Sequence, residues 1–148
     1  MKIRTSIAAA AVAALAGAGA FVVPAVAASA GPATHTLRFI SVTKASVQFS
    51  KVMAGQQDTD VNSKGNVIGY DELYFAFASS STAEGWVTVD VDGGFIYGMF
   101  TANLKTGAIT NGKVTGGARA FKGATGTFTA KNLNAAGTRT AIVITYHT

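Results

Sequence analysis

The sequence predicts an all-β domain, and three observations carry that reading. Apolar and polar residues alternate in short runs, most strictly over residues 86–91. Glycine-centred turns separate the runs, Asp92-Gly93-Gly94 and Lys105-Thr106-Gly107 among them. No segment beyond residue 30 carries the 3.6-residue apolar period of a helix.

The first 30 residues are set apart from the domain. Lys2 and Arg4 precede an uncharged Ala/Val-rich run over residues 7–23, and Pro24 ends it. Ala25-Val26-Ala27 and Ala28-Ser29-Ala30 then offer small-residue cleavage sites. The run has 17 residues, short of the roughly 20 that span a bilayer. A cleaved signal peptide over residues 1–30 is therefore expected, with cleavage after Ala27 or Ala30. The domain then occupies 31–148, secreted and without a membrane anchor.

Loss of Lys2 and Arg4 leaves 10 basic against 7 acidic residues, a net charge of +3. The basic residues form no cluster, so nucleic acid is not an expected partner. The absence of cysteine removes disulfides, thiolate zinc sites and thiol nucleophiles. No cofactor is expected. Asp58, Asp60 and Asn62 have the spacing of a calcium loop, but Ser63 stands where that loop needs glycine and Gly69 where it needs glutamate, so no metal is expected.

Residues 31–35 read as a lead-in. Residues 37–43 alternate, with Leu37, Phe39, Ser41 and Thr43 on one face, and 45–49 either continue that strand or turn. Residues 56–65 are polar and aperiodic, which predicts a loop. Residues 67–77 are strand-like, with Tyr70, Tyr74, Phe75 and Phe77 as aromatics. A loop over 79–85 leads to a strand over 86–91, and 95–102 returns from the Gly93-Gly94 turn. Strands over 108–115 and 125–131 follow, then a loop at 132–137 and a last strand over 138–147. A turn is expected at Gly116-Gly117 and a short loop around Phe121.

That makes seven or eight strands. Several are apolar on both faces: Ile96, Gly98 and Phe100 oppose Tyr97 and Met99, and Ile142 and Ile144 flank Val143. A sheet with one solvated face would place polar residues at alternate positions. A barrel with an apolar lumen fits, and so does a sandwich.

The segment Gly116-Gly117-Ala118-Arg119-Ala120-Phe121-Lys122-Gly123-Ala124-Thr125-Gly126 resembles the G-G-x-G-x-[FY]-x-G-A-x-G signature of the allene oxide cyclase and dirigent barrels. Residues 60–71 are similar to the D-x-G-x-x-G-x-x-x-G-D stretch of secreted bacterial relatives, with Tyr70 inserted before Asp71. The first strand and the apolar last strand fall in matching order. The resemblance implies a single antiparallel eight-stranded, calycin-like barrel. It does not bring that family's charged machinery. Plant allene oxide cyclases place a glutamate and an asparagine where Ser41 and Thr43 stand here, and dirigents an aspartate near Thr43. Many dirigents carry an arginine where this chain has Thr125.

Candidate site residues follow from strand parity. Phe39, Ser41 and Thr43 share a face that the resemblance turns into the lumen. The two hydroxyls can bond a ligand there or bond locally within the sheet. Asp71 shares its face with Leu73 and Phe75. A carboxyl so placed is desolvated and suits acid–base work, unless it caps the preceding turn by accepting backbone N–H bonds. Phe39, Ser41, Thr43, Asp71, Leu73 and Phe75 are thus the expected ligand-binding set, with Asp71 the candidate catalytic group. Trp86, Asp90, Tyr97 and Tyr70 are expected together on the opposite face, where a loop or partner covers them or a ligand binds. His35 and His147 read as surface residues.

Two function classes fit these residues. One is a secreted barrel that binds an apolar small molecule. The other is a cyclase, isomerase or dirigent-type protein, in which a shaped cavity holds a reactive intermediate in one conformer. An extracellular structural protein that oligomerises through its outer face is a third reading.

Overall fold

The computed structural model describes residues 31–148. The expected signal peptide lies outside the described residues. Eight strands form one closed antiparallel barrel in sequential order: β1 (Thr34–Ser50), β2 (Met53–Val61), β3 (Val67–Phe77), β4 (Thr82–Val91), β5 (Gly94–Asn103), β6 (Ala108–Arg119), β7 (Thr125–Asn132) and β8 (Arg139–His147). Pairing of β1 with β8, from Thr34↔His147 to Val42↔Arg139, closes the sheet and settles barrel over sandwich. Closure leaves no unpaired edge, so a chain without disulfides satisfies its backbone within one sheet. Among the described residues there is no helix.

The β4–β5 hairpin follows the sequence reading closely. Val91 pairs with Gly94, and Asp92 and Gly93 hold φ of 50° and 77°. Both central residues therefore occupy the left-handed region of a two-residue turn, which Asp-Gly tolerates. Trp86 faces Met99, Thr88 faces Tyr97 and Asp90 faces Phe95 across this hairpin. Tyr70 and Tyr74 of β3 extend the same outer face beside Asp90 and Trp86. Tyr70, Tyr74, Trp86, Tyr97 and Met99 are all exposed there. The expected loop cover is absent among the described residues.

Four expectations need correction. The polar stretch 56–65 is a loop only from Asn62, because β2 runs through its first half to Val61. Its lumen-facing residues are Gln56, Asp58 and Asp60, so the strand period is present without an apolar face to reveal it. The expected loop over 79–85 is shorter, since β4 begins at Thr82. The lead-in ends at Pro32 and Ala33, since β1 starts at Thr34 and runs through 45–49 as one long strand. Gly116 and Gly117 do not turn the chain. They lie inside β6, where Gly117 lets the carbonyl and Cβ of Phe121 and the carbonyl of Phe95 approach the backbone too closely for any side chain.

The real turn after β6 centres on Phe121 and folds its ring into one end of the barrel. Phe121 is buried and meets Tyr146 edge-on, with centroids 5.4 Å apart. Val91, Ile96, Val114, Ala124 and Ile144 are buried in the same core cluster. Hairpins at that end (β2–β3, β4–β5, β6–β7) make the floor. The β1–β2, β3–β4, β5–β6 and β7–β8 connections surround the mouth. The cavity lies toward the mouth, since Asn103, Leu104, Gly107, Asn132 and Gly137 of the mouth-side strand ends and connections are among its lining.

Candidate active site in the barrel lumen

The lumen holds a cavity of about 190 Å³. Its two sides differ in chemistry. On β4 to β7 the wall is apolar, built from residues such as Val87, Val89, Ile96, Ile109, Phe128 and Ala130. On β1 to β3 and the mouth-proximal ends of β7 and β8, polar groups enter: Ser41, Gln56, Asp58, Asp71, Asn132 and Thr140. Register explains the grouping. Ser41 is paired with Thr140 on one side and Asp60 on the other, and Asp58 is paired with Asp71. Period-2 alternation then points all of them inward.

Bonds within the group are specific. Ser41 Oγ donates to Asp58 Oδ2 at 2.6 Å, a diagonal contact between β1 and β2. Gln56 Nε2 donates to Asp58 Oδ2 at 2.8 Å and Oδ1 at 3.0 Å, and to Thr43 Oγ1 at 3.1 Å. Thr140 Oγ1 donates to Asn132 Oδ1 at 3.2 Å near the mouth. Asp58 is therefore well supplied with donors.

Asp60 and Asp71 are not. Asp60 is 0 % exposed, Asp71 is 4 % exposed, and neither oxygen of Asp60 nor Oδ1 of Asp71 meets a protein donor. Two buried carboxylates side by side would both be acceptors, with only repulsion between them. A proton resolves this. Burial, then the charge and hydrogen bond of Asp71, then the charge of Asp58, push Asp60 up to about 9. Asp60 is thus a neutral acid at pH 7 and donates to Asp71. Asp71 is pushed up to about 6, first by burial and further by the charge of Asp58, while the hydrogen bond from Asp60 holds it down. The two titrate as a pair that shares one proton around neutrality.

The residues expected from sequence are distributed as follows. Phe39, Ser41, Asp71, Leu73 and Phe75 all line the cavity. Thr43 does not; it is half-buried beside it and accepts from Gln56. Asp71 caps no turn. It lies within β3, opposite Asp58 and Val89, with its carboxyl on the lumen side. Sequence reasoning missed Gln56, Asp58 and Asp60 as site residues, because they sit in the stretch read as a loop. The i, i+2 spacing of Asp58 and Asp60 beside β-branched Thr59 and Val61 is the signal that places them on one strand face. His35 lies at the floor end, exposed and stacked on Tyr146 at 5.2 Å. His147 meets Thr34 there, at 3.2 Å. Neither lines the cavity.

No protein-family model matches the chain, and no curated protein matches it by sequence. Solved structures do. Pyocyanin demethylase superposes with a TM-score of 0.64 at 17% identity, over 76% of this chain and 99% of that one. The pterocarpan synthase dirigent protein GePTS1 gives 0.63 at 14% identity, over 78% of this chain and 89% of its own. The related PsPTS1 gives 0.61 at 13% identity, over 78% and 95%. At these identities the likeness is one of fold. The chain folds as the allene oxide cyclase-like barrel of the dirigent proteins and pyocyanin demethylase, the fold that its glycine-rich segment resembles.

Proposed function

We propose that this protein is a secreted barrel that takes an apolar small molecule into its lumen and moves a proton on it through Asp71. The observation that carries the reading is Asp71, whose buried carboxyl lines a largely apolar cavity with no donor but protonated Asp60 beside it. Ionised Asp71 accepts a proton from a bound C–H or O–H, and its raised affinity lets it return that proton at neutral pH. Asp60, protonated behind it, steadies the carboxylate by donating a hydrogen bond. Proton removal at one atom and return at another is an isomerisation or cyclisation, with no electron acceptor required. The apolar wall holds the intermediate away from water in one conformer. The names of the structural neighbours, a demethylase and two synthase-type dirigent proteins, suit a lumen that works on small molecules.

The test is a solvatochromic apolar dye titrated into the folded protein. Saturable binding is expected, lost in Ser41→Phe, which fills the lumen, and kept in Asp71→Asn. Binding that ignores Ser41→Phe overturns the lumen reading. For any substrate then identified, Asp71→Asn is expected to lower turnover by roughly 10²–10⁴-fold, the usual worth of a positioned acid or base.

The exposed Tyr70, Tyr74, Trp86, Tyr97 and Met99 favour a second reading, self-association through the outer face of β3 to β5. Sedimentation velocity of wild type and Trp86→Glu tests it, a monomer in both ruling it out.

A further inference from the structure

The lumen is acidic and carries no counter-charge. Asp58 and Asp71 line the cavity, Asp60 lies buried behind them, and no Lys, Arg or His is among the lining residues. The bonds already made leave the wall acceptor-rich. Ser41 spends its proton on Asp58, Gln56 spends its amide on Asp58 and Thr43, and Thr140 spends its proton on Asn132. Asp71, 4 % exposed, lines the cavity, and no Lys, Arg, amide or hydroxyl donor reaches its Oδ1. Three phenyl rings, Phe39, Phe75 and Phe128, line the same space. A negative wall beside aromatic faces is an environment that favours positive charge over neutrality, because a cation gains both from the carboxylate and from the ring quadrupoles.

Resting on the reading that the lumen binds an apolar small molecule, we propose that its preferred ligand is an apolar cation: a quaternary or iminium nitrogen, with its charge seated against Asp71 and its carbon frame on the β4 to β7 wall. Such a ligand supplies the charge that the protein itself withholds from the site. It also meets the Asp71 carboxylate without needing a water to follow it in. A neutral molecule of the same shape fills the same volume and leaves the carboxyl unmatched. An anionic one is repelled.

The pH dependence follows from the groups that face Asp71. Asp58 and Asp60 face it from β2. β4 presents Val87 and Val89, neither of which titrates, and β1 presents the Ser41 hydroxyl. Cation binding should therefore strengthen as pH rises through the titration of Asp71, from pH 5 to pH 8.

Phenyltrimethylammonium and tert-butylbenzene have the same shape and differ only in charge. Calorimetric or NMR titration of both into the wild-type barrel at pH 8 is the experiment. The cation is expected to bind roughly tenfold or more tightly than the hydrocarbon, a ratio within reach of one desolvated cation–π contact plus one carboxylate. The preference is expected to shrink at pH 5 and to vanish in Asp71→Asn. Equal or tighter binding of tert-butylbenzene overturns the cation inference and leaves the apolar-lumen reading standing. Failure of both probes to bind overturns the two together. Because the wild-type comparison decides the question, a poorly folding Asp71→Asn does not obscure it.

Discussion

Asp60 should make this barrel less stable as the solution becomes more alkaline, and the size of the effect can be worked out. In the unfolded chain Asp60 loses its proton near 3.8; in the barrel it keeps the proton to about 9. Between those limits the folded state binds one more proton than the unfolded state, so stability falls with rising pH by about 1.4 kcal/mol per unit. Asp71 adds a second proton in the narrower window from 3.8 to about 6. Well above pH 6 only Asp60 contributes, so raising pH from 6 to 8 should cost about 3 kcal/mol, a large share of the roughly 5–15 kcal/mol typical of a domain. Asp60→Asn keeps the shape and the donor to Asp71 and removes the ionisation. It should flatten the slope between pH 6 and 8 and stabilise the protein at pH 8 by at least the roughly 3 kcal/mol that wild type loses over that range. Urea unfolding followed by circular dichroism at pH 6, 7 and 8 reads this as a falling midpoint at constant m value in wild type and a level one in the variant. A wild-type midpoint that is flat or rises over that range would refute the buried-proton account, as would a variant with the wild-type slope.

Two further outcomes bear on the frame and the leader. A Cβ at Gly117 comes within 2.8 Å of Phe121 Cβ and Phe95 O, and one at Gly126 within 2.8 Å of Tyr146 Cα. Gly117→Val and Gly126→Val should each destabilise by about 1–3 kcal/mol, read as a lowered thermal midpoint; unchanged midpoints in both would remove the close-approach argument. N-terminal sequencing of exported protein should begin at Ala28 or Gly31, and a start at Met1 would dismiss the cleaved leader.

The parts of the fold legible in the sequence are those where apolar residues mark the inner face. The β4–β5 hairpin announces itself through Val87, Val89, Val91 and the Asp92-Gly93 turn, and β3 through its aromatics. Parity on β1 and β3 brings Phe39, Ser41, Asp71, Leu73 and Phe75 to one cavity and leaves Thr43 beside it. β2 was hidden because its inner face is Gln56, Asp58 and Asp60. A strand that turns polar residues into a lumen shows no hydrophobic period, so a rule keyed to apolar alternation reads it as a loop. The same strand carries the donor to Thr43 and the proton-holding partner of Asp71, so the chemistry was concealed along with the strand. Gly116-Gly117 misled for the opposite reason. Paired glycines usually mark a turn, whereas here a neighbouring carbonyl pressing on Gly117 requires one inside a strand.

Under the proposed function, ligands enter the lumen rather than settle on the exposed aromatic face. Methyl-resolved NMR on the full-length mature barrel tests it most directly, with the apolar dye or phenyltrimethylammonium as probe. Val89, Ile96, Ile142 and Ile144 report from the cavity wall, and Val47, Val52 and Met99 from the exterior. Saturable shifts are expected in the first group and none in the second, with the first group silent in Ser41→Phe. Shifts centred on Met99 with the lumen methyls unmoved would contradict the account.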